Sequence, residues 1–310
     1  MSILSNSVTL TAFTTTDGLN FKIAFLNNSD MDYVLDDIAL SDLKISRVWG
    51  LNDVNTIPVS GRVWADGLQK LDYAVSGAES RGVKLIINIV NNWDNYRGMN
   101  AYVVAYGGTL TGWYNNTQIQ AAYQTYIKVV IDRYSTSSIK SLDFEHMATI
   151  SDVGFGFTNG SDGSYPYTFG EGLDFVTNLC IPTINFDTFH LYTNSWGEAL
   201  PWGRSWVSTH GAACAAIGKP CVLEEFGVTY DQCTYEAQWQ ATALNTSGSA
   251  ANMFWQYESP NNGNTIYYSI NTYTCIVMNH IKHQSNWTTG NNYLPHWLMR
   301  LFVYDHLTHV

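Results

Sequence analysis

Apolar residues along this chain fall into two alternating patterns: short continuous runs, and longer stretches where they recur every three or four positions. The clearest run is 84–90, Lys-Leu-Ile-Ile-Asn-Ile-Val, which reads as a strand buried on both faces. Runs at 19–26, 44–50, 146–150, 183–190, 219–225 and 252–257 read the same way. Between them the spacing predicts a helix that Ser29 or Asp30 could cap, running to about residue 43, and another over 66–81 carried by Leu68, Leu71, Ala74 and Val75. Further helices are predicted over 118–134, 202–218 and 235–245, with a Gly-rich loop over 97–108. Strand alternating with helix in this way is the pattern of a parallel α/β barrel.

The alternation breaks once. After the helix ending near residue 134, only Ser-Thr-Ser-Ser-Ile-Lys-Ser-Leu (135–142) precedes the next strand, too little for a strand and its helix. Seven strands result where a closed (β/α)8 barrel has eight. One barrel domain lacking its fourth strand-helix unit is therefore expected, followed by a C-terminal tail. In that tail Leu294, Trp297, Leu298, Leu301 and Phe302 have helical spacing and predict an extra amphipathic helix.

One strand carries chemistry on its face. Residues 219–227, Lys-Pro-Cys-Val-Leu-Glu-Glu-Phe-Gly, open after a Pro and end on two carboxylates and a Gly, as a strand does when it delivers an acid to the C-terminal rim of a barrel. Pleating puts neighbouring side chains on opposite faces, so Glu225 and Glu224 are expected to point apart, with Glu224 in support.

Composition narrows the partner. The chain has 310 residues and a formal net charge of −11 with only 13% charged residues, which argues against nucleic acid and anionic membranes and for a neutral substrate. Eleven Trp and 20 Tyr exceed what a core needs and suit flat rings stacked on sugar faces. No cofactor or metal is implied: the five Cys include no Cys-x-x-Cys pair. Cys214 and Cys221 could close a short loop and Cys233 with Cys275 a longer one, leaving Cys180 over. Sequons at Asn27, Asn115, Asn159, Asn245 and Asn286 suit a secreted glycoprotein, although the first residues carry neither the basic nor the apolar part of a signal peptide. No run reaches transmembrane length.

Several long runs in order carry a resemblance: Arg-Val-Trp-Gly-Leu-Asn-Asp-Val-Asn (47–55), Leu-Ile-Ile-Asn-Ile-Val-Asn-Asn-Trp-Asp-Asn-Tyr (85–96), Gly-Ser-Asp-Gly-Ser-Tyr-Pro-Tyr (160–167), Thr-Phe-His-Leu-Tyr (188–192), the 219–228 run and Phe-Trp-Gln-Tyr (254–257). Over about residues 19–281 the chain resembles the fungal endo-beta-1,4-mannanases of glycoside hydrolase family 5, which implies a barrel domain there between an N-terminal segment, 1–18, and a tail, 282–310. That resemblance implies a (β/α)8 barrel and a retaining mechanism on beta-mannan, acting as a secreted monomer. It implies Glu225, the Glu directly before Phe-Gly, as the nucleophile, and Arg47 as the cation that hydrogen-bonds it and holds it ionised. His190 and Tyr192 would orient it and touch the sugar, Trp255 would lie under the reacting sugar, and Trp93 would face the cleft.

The departures are as informative. The family places its acid/base on a Trp-Glu-Leu-Ala-Asn-Glu-Pro type strand, and no such run follows residue 134. Glu145, in Leu-Asp-Phe-Glu-His, precedes a strand and does not stand at a strand's end. The family's first-strand run is also missing in part. Besides an active hydrolase, the pattern fits a mannan-binding barrel with impaired catalysis, or a chain whose open barrel edges leave it unstable.

Overall fold

The computed structural model describes residues 16–21, 27–40, 45–51, 65–92, 98–134, 147–156, 162–168, 173–228, 230–255 and 301–305. Eight strands close into a barrel: β1 (Thr16–Phe21), β2 (Ile45–Trp49), β3 (Lys84–Asn88), β4 (Met147–Asp152), β5 (Phe186–Leu191), β6 (Cys221–Phe226), β7 (Ser249–Phe254) and β8 (Leu301–Asp305). Their order around the wall is β1-β2-β3-β8-β4-β5-β6-β7, with parallel pairing throughout. The helices are α1 (Asn28–Leu40), α2 (Ala65–Ser80), α3 (Gly98–Tyr106), α4 (Thr117–Tyr134), α5 (Phe175–Leu179), α6 (Thr193–Trp196), α7 (Gly203–Ile217) and α8 (Gln232–Asn245).

The double burial of the strands explains their apolar runs. Ile45, Ile86, Met147, Phe186, Val222, Ala251 and Met253, one row of positions from six strands, pack together inside the barrel. Alternate residues such as Val48, Leu85 and Ile87 face outward into a larger core with Leu68, Leu71, Ala74 and Val75 of α2 and Met31, Val34, Leu35 and Ile38 of α1. α4 docks beside α2: Tyr126, Val130 and Tyr134 join that core, and Arg133 grips Asp72 with two bonds of 2.5 Å.

The tail is the main departure from the sequence reading. Leu301–Asp305 is a strand, not part of an amphipathic helix, and it lies between β3 and β4, the place the missing fourth strand would have taken. Residues 135–146 lie outside the described residues, Glu145 with them. β8 pairs with β4 from Met147↔Leu301 to Ser151↔Asp305 and with β3 from Ile86↔Leu301 to Asn88↔Val303. Leu301 is thus in register with two residues of the inner apolar layer. Two sheet edges that would invite intermolecular pairing are paired within the chain.

Smaller corrections are local. Asn27, not Ser29 or Asp30, caps α1, its Oδ1 accepting from the Asp30 N–H at 2.9 Å. Most of the supposed 97–108 loop is α3, because Met99, Ala101 and Tyr102 bury themselves against Trp113 and Tyr123. It stops at Gly107 and Gly108, whose φ of 79° and 108° favour glycine. Cys214 and Cys221 are both free, buried thiols, so the short loop is not bridged. Cys180 is free as expected, and Cys233 is disulfide-bonded, its expected partner Cys275 lying outside the described residues.

Candidate active site

Seven side chains from four strands and their ends meet at the C-terminal mouth of the barrel. Arg47 of β2 stands between the two carboxylates of β6. Its Nη1 donates to Glu225 Oε1 at 2.5 Å, while its Nε lies 3.2 Å from Glu224 Oε1, an ion contact short of an aligned hydrogen bond. Tyr192, just beyond β5, donates its hydroxyl to Glu225 Oε2 at 2.6 Å. His190 sits between the carboxylates on the opposite side, Nδ1 3.6 Å from Glu225 Oε2 and Nε2 3.3 Å from Glu224 Oε2. Ser151 and Thr188 donate to Glu224 Oε2 at 2.8 and 2.9 Å.

Both glutamates therefore reach the same cluster, against the expectation that the pleat would separate them. The reason is a register shift: β5 pairs Phe189 with Leu223 but His190 with Glu225, so Glu224 is the extra residue, and the local alternation is broken. The two then differ in access. Glu224 is 0% exposed with both oxygens engaged, whereas Glu225 keeps 7% at the mouth. Of the two, Glu225 is the carboxylate a substrate can reach.

The electrostatics follow from burial against charge. Burial would raise the Glu224 carboxyl, but Arg47, the His190 hydrogen bond and charge, and the Ser151 hydroxyl outweigh it and hold the group at about 2. For His190 burial works against the imidazolium, and the charges of Glu225 and Glu224 overcome it, so its pKa is raised. A second buried histidine shows the contrast. His210 of α7, stacked on Phe189 at 4.1 Å, has no carboxylate beside it, and burial lowers it to about 3.

These shifts set a stability profile. A carboxylate lowered from an ordinary 4.5 to about 2 contributes stability that is complete above 4.5 and lost as pH falls toward 2, on the order of 3 kcal/mol. A histidine raised above its ordinary 6.5 contributes stability that is complete below 6.5 and lost as pH rises through its folded value. The contributions of Glu224 and His190 are both complete between about pH 4.5 and 6.5, while His210, lowered to about 3, works the other way and costs stability as pH falls below 6.5. In denaturant melts Glu224→Gln should make the limb below about pH 4.5 shallower, and an unchanged slope there would remove Glu224 as a source.

Aromatic rings border the cluster. Trp255, directly after β7, is half-buried, its backbone N–H donating to Phe226 O at 2.9 Å, and its ring lies 6.0 Å from Trp49 at the end of β2. Trp196 lies beyond Tyr192 and Trp202 beyond Trp196, with centroid separations of 6.5 and 6.2 Å. Of the six residues expected at the site, Arg47, His190, Tyr192, Glu225 and Trp255 are brought to this mouth, and Trp93 lies outside the described residues. Ser151, Thr188 and Trp49 were not singled out from the sequence. The available signal was small polar residues at alternate positions of two otherwise apolar strands, Thr149 and Ser151 of β4 and Thr188 of β5.

No family model matches the chain. It is 46% identical to mannan endo-1,4-beta-mannosidase A of Aspergillus aculeatus, over 89% of this chain and 92% of that one. It is 44% identical to mannan endo-1,4-beta-mannosidase A of Emericella nidulans, over 87% of each. The first alignment spans 346 positions, more than the 310 residues of the whole chain, so the Aspergillus protein carries stretches with no counterpart here. Among solved structures, the endo-1,4-beta-mannanase of Rhizomucor miehei superposes with a TM-score of 0.76 at 26% identity, covering 88% of this chain and 95% of that one. The endo-beta-1,4-mannanase of Thermotoga petrophila gives 0.75 at 25%, covering 91% and 79%.

Proposed function

The chain belongs to the fungal mannan endo-1,4-beta-mannosidases of glycoside hydrolase family 5, and from that membership we propose that it cleaves internal β-1,4-mannosidic linkages with retention, Glu225 being the nucleophile. The observation that carries the reading is the state of Glu225: a barrel-mouth carboxylate fixed by Arg47 and Tyr192, with a small exposed face. A carboxylate held in one rotamer by two donors is positioned to attack, because orientation removes the entropy of bringing the partners together. Tyr192 and His190 flank the attacking oxygen, and Trp255 supports the apolar face of the sugar. The substrate is neutral mannan, in keeping with an acidic surface of low charge density.

Retaining hydrolysis needs a second carboxyl group about 5–5.5 Å from the first to protonate the leaving oxygen. The family's run for that group has no counterpart after residue 134 of this sequence. We place the protein outside the cell as a monomer. Among the described residues no helix is long and apolar enough to cross a membrane.

The stereochemistry tests this directly. Proton NMR of mannopentaose hydrolysis, followed from the first seconds, should show the β-anomer of the new reducing end before mutarotation. Initial release of the α-anomer would overturn the double displacement, and cleavage of cellulose or xylan in preference to mannan would overturn the substrate.

A further inference from the structure

The segment that carries Glu225 out of the barrel is held from outside by one helix. β6 ends at Phe226, and Gly227 and Val228 follow it on the way to α8. Val228 is buried, and side chains of α8 satisfy both of its backbone polar groups. Its N–H donates to Glu236 Oε1 at 2.9 Å, and its carbonyl accepts from Gln232 Nε2 at 2.9 Å. Gln232 and Glu236 are four residues apart, so they stand on one face of the helix. That face continues to Gln240, whose Nε2 donates to Asn252 Oδ1 of β7 at 3.2 Å.

Glu236 is 0% exposed in a layer that Val228, Phe226, Trp239 and Ala243 otherwise make apolar. A carboxyl group buried there is costly unless it is hydrogen-bonded, and the bond it makes is to the chain three residues past the nucleophile. Phe226, in between, accepts the backbone N–H of Trp255 at 2.9 Å, and its ring meets Trp239 of α8 edge-on at 6.4 Å. The strand end that bears Glu225 and the backbone of Trp255 thus share the segment 226–228, and α8 grips that segment. Glu225 has to meet Arg47 at 2.5 Å and Tyr192 at 2.6 Å, contacts that tolerate little rotation of the strand end.

We propose that Glu236 is a positioning residue for the nucleophile: through the Val228 N–H it fixes the strand end that aims Glu225, and Gln232 completes the hold. The inference deepens the double displacement proposed above and rests on Glu225 being its nucleophile. Sealed in the helix layer, Glu236 reaches the reaction only through the backbone.

The test follows trapping of the full chain by 2,4-dinitrophenyl 2-deoxy-2-fluoro-β-mannoside, in which a Glu225 oxygen bonds to C1 as dinitrophenolate leaves with the bonding pair. That leaving group needs no proton, so the rate reports the attack alone. Glu236→Leu fills the space and removes the acceptor. Its maximal trapping rate should fall about 10²-fold with the half-saturating concentration unchanged, the scale of a small misplacement of the reacting atom. Glu236→Gln keeps an oxygen for the Val228 N–H and should trap within about three-fold of the parent. Gln240→Leu is the control: it breaks the bond to Asn252 on the same buried face, and should lower the melting temperature but leave the trapping rate within about two-fold. Trapping by Glu236→Leu within about two-fold of the parent overturns the positioning role and leaves Glu225 as nucleophile. Equal slowing by Gln240→Leu does the same, as does slowing of Glu236→Gln to the level of Glu236→Leu. Should Glu236→Leu not fold, Gln232→Leu, at the half-buried start of α8, takes its place: slowed trapping supports the hold on Val228, and the parental rate overturns it. A parent that forms no adduct at Glu225 ends the double displacement, and the positioning role with it.

Discussion

Glu225→Gln should abolish mannan hydrolysis, lowering kcat on the order of 10⁴- to 10⁶-fold, the scale seen when a residue central to covalent catalysis is removed. The amide is nearly isosteric: its oxygen can still accept from Arg47 and its NH2 can donate to the Tyr192 hydroxyl oxygen, in place of the carboxylate contacts at 2.5 and 2.6 Å, so the site should keep its shape. Affinity electrophoresis in a mannan gel should accordingly show retardation like that of the parent, while reducing-sugar release disappears. The split matters because a mere folding defect would remove both. Hydrolysis persisting within ten-fold of the parent would exclude Glu225 as the attacking group and return attention to Glu224.

Arg47→Met should have the largest effect on stability. Arg47 is 1% exposed and contacts Glu224 and Glu225 together. Removing it leaves two buried carboxylates without that cation between them, and breaking a buried ion pair from one side costs about 3–5 kcal/mol. Arg47→Lys should not restore the parent, since one ammonium cannot reproduce contacts made from two separate nitrogens of the guanidinium fork. Denaturant midpoints at pH 6 and pH 4 check this. The deficit should be larger at pH 6, because without the cation burial pushes the Glu224 carboxyl up and protonation relieves it at lower pH. A cost under 1 kcal/mol at pH 6 would mean that Arg47 is not the compensating charge.

The parts of the barrel that were legible in the sequence are those where burial acts locally. β3 reads from Lys-Leu-Ile-Ile-Asn because both faces are covered, and the strand-helix alternation from β1 to β3 and from β5 to β7 needs only short-range periodicity. β8 does not read that way. Leu-Phe-Val-Tyr-Asp is a short apolar run that continues the helical spacing of Leu294, Trp297 and Leu298, and such a run is ambiguous until a partner is known. Its partners, β3 and β4, lie far upstream in the sequence, so barrel closure decides its state.

The site divides along the same line. Arg47, His190, Tyr192, Glu225 and Trp255 stand in runs whose residues could be matched one by one. The inward turn of Glu224 could not be anticipated, since it depends on a register shift between β5 and β6, and pleat alternation gives the opposite answer. Ser151 and Thr188 were equally hidden: each is an unremarkable small polar residue until β4, β5 and β6 set them beside one carboxylate oxygen.

The central claim is a covalent bond between Glu225 and the sugar. Incubating the chain with 2,4-dinitrophenyl 2-deoxy-2-fluoro-β-mannoside, which forms the intermediate faster than it breaks down, and mapping peptic fragments by tandem mass spectrometry tests it most directly. The account predicts a single fluoromannosyl adduct on the peptide containing 219–228, located at Glu225 and absent from Glu225→Gln. An adduct on Glu224, or on no residue of a chain that still releases dinitrophenol, would contradict it.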